Sequence, residues 1–185
     1  MKKNYKIRKD LSIVVNGHTL FRIEAIKDIA IHNVSKGEVG GYIEFETNLY
    51  DNAWVFDDAT VYGEATVCGE AIVRGEATVC EEATVCGDAT VCGKATVCGE
   101  AIVCGEATVY GDRIRNNKEI YNICCNDTYN ITILPNFIKI GCQFHKKEEW
   151  WKFTNREIEA MDGLKAIRFW KKWKPILQAI CGENK

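Results

Sequence analysis

Between residues 49 and 112, apolar and polar positions recur every six residues in the phrase Val-x-Gly-[Glu/Asp]-Ala-[Thr/Ile], as in Val67-Cys-Gly-Glu-Ala-Ile72 and Val97-Cys-Gly-Glu-Ala-Ile102. Within Ala-Thr-Val-Cys, alternation puts Ala and Val on one face and Thr and Cys on the other, as in a short strand. The Gly-acid pair that follows is a corner, because glycine accepts the backbone angles of a sharp bend. Three strand-corner units close one triangular coil, so residue i stacks on residue i+18. The expected inward columns are Val55-Val73-Val91-Val109, Val61-Val79-Val97 and Val67-Val85-Val103. Periodicity this strict predicts a stacked architecture, in which no coil is stable alone, rather than a globule around a cleft.

The pattern changes on both sides of the repeat. Residues 11–26 read as a hairpin turning at Asn16-Gly17, and Gly37, Gly40 and Gly41 lead the chain into the first coil. After Asp112, residues 130–134 and 137–140 flank a Pro135-Asn136 turn, a second hairpin. The remainder predicts helices over 146–153, from Thr154 as N-cap, and over 164–180. Leu164, Ile167, Trp170, Leu177 and Ile180 form one apolar face on the last of these, where Pro175 kinks the helix or starts a new turn. Three segments follow: an N-terminal β-hairpin cap (1–48), a hexapeptide-repeat β-helix (49–112), and a C-terminal β-hairpin and helical cap (113–185).

An aliphatic residue followed four positions later by a small one recurs as Val61/Ala65, Val67/Ala71, Val73/Ala77 and onward to Val103/Ala107. This resembles the hexapeptide repeat of left-handed β-helices. The resemblance implies a mostly β fold: a left-handed parallel β-helix with an N-terminal β-hairpin cap and a C-terminal hairpin plus helices.

Composition sharpens the picture. At 185 residues the chain is one compact unit with appended ends, with no apolar run of membrane-spanning length and no secretory signal before Asp10. Of ten cysteines, six (Cys68, Cys80, Cys86, Cys92, Cys98, Cys104) occupy the position after Val and stack as ladders, which reads as repeat copying in a reduced, cytosolic protein rather than a disulfide framework. The formal charge of −2 conceals a segregation: residues 49–112 carry net −10, residues 113–185 net +6 and residues 1–48 net +2. The corner acids stack as Glu64-Glu82-Glu100, Glu70-Asp88-Glu106 and Asp58-Glu76-Lys94-Asp112. With strands about 4.8 Å apart, this is about one net charge per 1.7 Å of axis, close to double-stranded DNA.

Those corner carboxylates keep a rod soluble, and they also form the candidate partner-binding set: Glu64, Glu70, Glu76, Glu82, Asp88, Glu100 and Glu106. Trp54, Phe56, Ile72 and Tyr110 form an outward apolar stripe, a candidate self-association face. Hexapeptide acyltransferases and γ-class carbonic anhydrases resemble this chain in the prism but place histidines on their coils. Here His18, His32 and His145 all lie in the caps, so no catalytic residue and no cofactor is expected. No metal is expected either; the nearest approach to a zinc set is Cys124, Cys142 and His145, with Cys125 or Cys181 as a fourth ligand. Arg168-Phe-Trp-Lys-Lys-Trp-Lys174 mixes bases with aromatics, and at helical spacing the aromatics read as core contacts with the lysines on the wet face.

Gly37-Glu-Val-Gly-Gly-Tyr-Ile-Glu44 before the repeat and Ile138-Lys-Ile-Gly-Cys-Gln-Phe-His-Lys-Lys-Glu-Glu-Trp150 after it are together similar to small hexapeptide-repeat proteins of phages and prophages. That family offers no catalytic residues to carry over. The resemblance and the acidic rod lead to the expectation of a non-enzymatic, anti-CRISPR-like inhibitor. It would act in the host bacterial cytosol by binding a nucleic-acid-binding defence complex, with self-association as a further expectation and no membrane partner. The alternatives are a structural or virion-assembly solenoid and a degenerate acyltransferase-like scaffold.

Overall fold

The computed structural model describes residues 3–123 and 128–182. Strand β1 (Tyr5–Val15) and β2 (His18–Ala25) form the first hairpin. It turns at Asn16 and Gly17, whose φ angles of 51° and 87° give the paired left-handed turn that matches strand twist. β2 pairs antiparallel with β3 (Val39–Ile43), and β3 pairs parallel with a repeat strand at Thr60–Val61, so β3 is the joint where pairing changes sense. A Cβ at Gly40 would fall 2.5 Å from the Val55 carbonyl oxygen, and only glycine lets β3 lie this close to the first coil.

The repeat forms eleven short strands: β4 (Trp54–Val55), β5 (Thr60–Val61), β6 (Thr66–Val67), β7 (Ile72–Val73), β8 (Thr78–Val79), β9 (Thr84–Val85), β10 (Thr90–Cys92), β11 (Thr96–Val97), β12 (Ile102–Val103), β13 (Thr108–Tyr110) and β14 (Arg113–Ile114). They stack in parallel on three sides, β5-β8-β11-β14, β4-β7-β10-β13 and β6-β9-β12, making a β-solenoid of about four turns. The register is the expected one: Val55, Val73, Val91 and Val109 align, as do Val61, Val79 and Val97, and Val67, Val85 and Val103. All ten valines are fully buried, together with the alanines between them. Ile43 and Leu49 extend two of the columns upward, and Ile114 closes one below, seventeen rather than eighteen residues after Val97. Backbone amides along each coil donate to carbonyls of the next, as Cys68 does to Val85 and Cys86 to Val103, both at 2.9 Å. Much of a coil's hydrogen bonding therefore lies in its neighbours, as a quasi-one-dimensional stack requires.

Both ends are plugged. At the first coil the buried Asn48 side chain donates to the carbonyls of Gly63 (2.9 Å) and Ala65 (2.8 Å) and accepts from the Phe45 amide at 2.7 Å. Tyr5 donates its hydroxyl to the carbonyls of Glu46 and Leu49. At the other end an antiparallel sheet of β15 (Tyr121–Ile123), β16 (Ile131–Ile133), β17 (Phe137–Ile140) and β18 (Gln143–Lys146) follows the last coil, and Ile120 and Leu134 join the solenoid core.

Helices α1 (Lys147–Lys152) and α2 (Asn155–Ile180) complete a second core with that sheet. Thr154 caps α2 as expected, in a reciprocal capping box with Glu157. The break in α2 lies at Asp162-Gly163, where φ reaches 66° at the glycine, at the expected boundary before Leu164; the residues around Pro175 keep helical angles, so no new turn starts there. The apolar face also needs correction. Leu164 is 62% and Ile180 40% exposed, whereas Ala166, Phe169, Trp170 and Leu177 are buried. The helix turns its largest rings inward, with Trp170 against Trp150 and Phe169 against Tyr129, and this sets a stripe through Ala166 that leaves the two aliphatic residues outside.

Candidate partner-binding edges

Most corners of the solenoid are built by a glycine in the left-handed region followed by an outward acid. Gly69, Gly87 and Gly105 stack with φ between 64° and 74°. A Cβ at Gly69 would lie 3.0 Å from the Gly87 nitrogen, so the column is held to glycine by packing as well as by angle. In the six-residue repeat the acid after the glycine precedes a buried alanine, and alternation turns it to solvent.

The three edges differ. Glu64, Glu82 and Glu100 are exposed on one edge, and Glu70, Asp88 and Glu106 on another. Among the described residues none of these six enters an ion pair; Glu106 accepts from Asn130 Nδ2 at 2.8 Å. Glu81 adds a further exposed carboxylate beside Glu82. The third edge is neutralised from within. Arg22 pairs with Asp58 at 2.6 Å and Lys94 with Glu76 at 3.5 Å. Asp112 departs from the expected ladder: it is 3% exposed and accepts from the backbone amide and side-chain amide of Asn136 at 3.1 and 2.6 Å. The last coil is one residue short, so Asp112 stacks on the inward-facing Ala95 rather than on Lys94, and the C-terminal hairpin turn satisfies its carboxylate there.

The apolar stripe is not a continuous surface. Trp54 is fully buried, because the connection from β2 to β3 folds across the first coil and brings Ile29 and Val34 into the same core. Phe56 and Ile72 are partly buried. Tyr110 is 51% exposed and rests edge-on against Phe144 of the cap, 5.6 Å between ring centres.

The histidines are held by the caps. His18 Nδ1 lies 2.9 Å from both carboxylate oxygens of Glu44, which also accepts from the Gly63 amide at 2.9 Å. Burial pushes the His32 imidazole toward its neutral form, opposed by the hydrogen bond the ring donates to the Asn52 backbone carbonyl and by the charge of Glu70. His145 packs edge-on against Trp150 and Phe153. Of the candidate zinc set, Cys124 and Cys125 lie outside the described residues. Cys142 is exposed. His145 Nε2 lies 3.3 Å from Gln143 Oε1. Among the described residues no group of three or more metal-binding side chains converges.

The cysteines divide by side. Cys80 and Cys98 are buried beneath the first hairpin with Leu20 and Tyr62, whereas Cys68 and Cys86 are partly exposed and Cys104 is exposed. Burial raises the thiol pKa of Cys68, Cys80, Cys86 and Cys92. Among the described residues no helix is long and apolar enough to cross a membrane. No family model matches this chain, and no curated protein matches it closely enough to count as a relative.

Proposed function

We propose that this hexapeptide-repeat solenoid is a non-enzymatic inhibitor of phage origin. In this reading it blocks a bacterial defence effector by standing in the effector's nucleic-acid channel. The observation that carries the reading is the pair of adjacent acidic edges, Glu64-Glu82-Glu100 with Glu81 and Glu70-Asp88-Glu106, whose members are exposed and make no ion pair among the described residues. Coil stacking spaces the carboxylates by about 4.8 Å along a stiff axis. A stiff array of this kind meets a basic channel without the ordering cost that a flexible acidic tail would incur. Affinity for such an array comes mainly from charge, so binding weakens steeply with salt.

The same geometry argues for a binding role over a catalytic one. The coils carry no histidine, and the three histidines of the chain serve the caps. The effector is a nucleic-acid-guided or nucleic-acid-cleaving complex of the bacterial cytosol, recognised through the cationic groove that normally holds phosphate.

The test is charge reversal. Replacing Glu82, Glu100, Asp88 and Glu106 by lysine abolishes binding to purified defence nucleases and restores their cleavage of target DNA. Lysine at Glu148 and Glu159 on the C-terminal cap leaves inhibition intact. Inhibition that survives the four edge changes, or no binding to any such nuclease, defeats the reading; capsid or tail proteins captured instead favour a structural spacer.

A further inference from the structure

Cys68, Cys86 and Cys104 occupy the same position in three successive coils on one side of the prism. Their register is set by the pairing of Val67 with Val85 and of Val85 with Val103. Tyr50 precedes the column and Asn122 follows it: the Tyr50 amide donates to the Val67 carbonyl, and Asn122 Nδ2 donates to the Cys104 carbonyl at 3.2 Å. The thiols are therefore held in a row along the axis by a rigid scaffold, and all three are unbridged.

Strand stacking sets the distance between them. In-register parallel strands lie about 4.8 Å apart, wider than the roughly 3.8 Å between Cβ atoms that a disulfide prefers. Two metal–sulfur bonds of about 2.3 Å placed in line span about 4.6 Å, which matches the strand spacing. A flat row of sulfurs does not supply the tetrahedral set that zinc takes. It suits a soft cation content with two thiolates in line. The neighbouring corner, Glu70-Asp88-Glu106, is exposed and raises the local concentration of cations. By contrast, Cys80 and Cys98 are closed off by the hairpin, with Cys98 only 2% exposed.

We propose that Cys68, Cys86 and Cys104 bind soft monovalent metal ions of the Cu(I) and Ag(I) class, one ion between each pair of adjacent sulfurs, with Cys86 shared. Each sulfur gives up its thiol proton to solvent as the metal–sulfur bond forms, and no electron is transferred. Because thiols must lose their protons to bind metal, uptake releases protons and strengthens as pH rises. The site is independent of the acidic-edge reading: it needs the thiol row, and the inhibitor needs the carboxylates.

The experiment is an anaerobic titration of the full chain with Cu(I) in competition with a coloured Cu(I) chelator, beside Cys86→Ser and the double variant Cys68→Ser/Cys104→Ser. Both variants lower the affinity of the tightest class of ions by at least about tenfold, while Cys142→Ser on the cap leaves it unchanged. Alkylation followed by mass spectrometry gives a second readout in unmutated protein: Cu(I) protects Cys86 from iodoacetamide. Equal affinity in wild type and Cys86→Ser, or unprotected Cys86 in metal-loaded protein, overturns the proposal.

Discussion

Glu81 Oε2 accepts a hydrogen bond from the Gly99 amide, one coil further along the axis, at 2.6 Å. Glu81 stands where the repeat calls for glycine, between Gly63 and Gly99, and holds a left-handed φ of 62°. Asp51 and Asp57 do the same at other corners, accepting from Gly69 at 3.2 Å and Gly75 at 3.0 Å. Where a corner lacks glycine, the side chain that replaces it ties the corner to the next coil. A left-handed L-residue costs about 1–2 kcal/mol, and the inter-coil hydrogen bond offsets it.

Glu81→Ala and Glu81→Gly separate those two effects. Both lose the carboxylate, and only alanine keeps the strain, so the alanine variant is less stable than the glycine variant by about 1 kcal/mol. Urea unfolding followed by circular dichroism measures the difference, and equal midpoints would mean that the corner is unstrained.

Asn48 satisfies two carbonyls and one amide at a site 1% exposed. Asn48→Ala leaves all three without that partner at the top of the solenoid. The expected loss is about 3 kcal/mol, with hydrogen exchange accelerating first in the first coil. A loss confined to the C-terminal cap would contradict this account.

Inside the prism, valine and alanine positions answer oppositely to size. Val91→Ala opens a cavity in a fully buried column and costs about 2 kcal/mol. Ala95→Leu overfills the same interior and costs about 1–3 kcal/mol. Thermal midpoints of the two variants and the double variant test this, and a tolerated Ala95→Leu would show that the interior has room.

The first hairpin carries an acid-sensitive cluster. Arg8 holds Asp10 at 2.6 Å and Glu24 at 2.5 Å, and Lys6 holds Glu24 at 2.7 Å. The hydrogen bond from Arg8 pulls Asp10 down to about 2, and those from Lys6 and then Arg8 lower Glu24. A depressed carboxylate pKa contributes stability above its unfolded value and loses it as pH falls through the folded one. The hairpin therefore weakens from the ordinary carboxylate range down to about pH 2. Arg8→Met removes most of that slope, as thermal midpoints across this range would show; an unaltered slope would assign the acid sensitivity elsewhere.

Residue by residue, legibility followed the range of the interactions. The Asn16-Gly17 turn, the Thr154 cap and the eighteen-residue register were readable because each depends on neighbours in sequence or on a strict period. The break in α2 just before Leu164 falls between the two expected helices, at a glycine whose angle other residues resist, whereas Pro175 starts no new turn because the residues around it keep helical angles.

What the amino-acid order determined by itself was the prism: Val and Ala inward, acids at the corners, glycine where the backbone must turn left-handed. Repetition makes every coil answer the same local constraint. What only the tertiary structure decided was which repeated positions stay open. The β2–β3 connection buries Trp54, the first hairpin closes over Cys80 and Cys98, and the Pro135-Asn136 turn takes Asp112. Those outcomes depend on how non-repeating caps pack across the repeat, and no period along the chain encodes contacts between segments far apart in it.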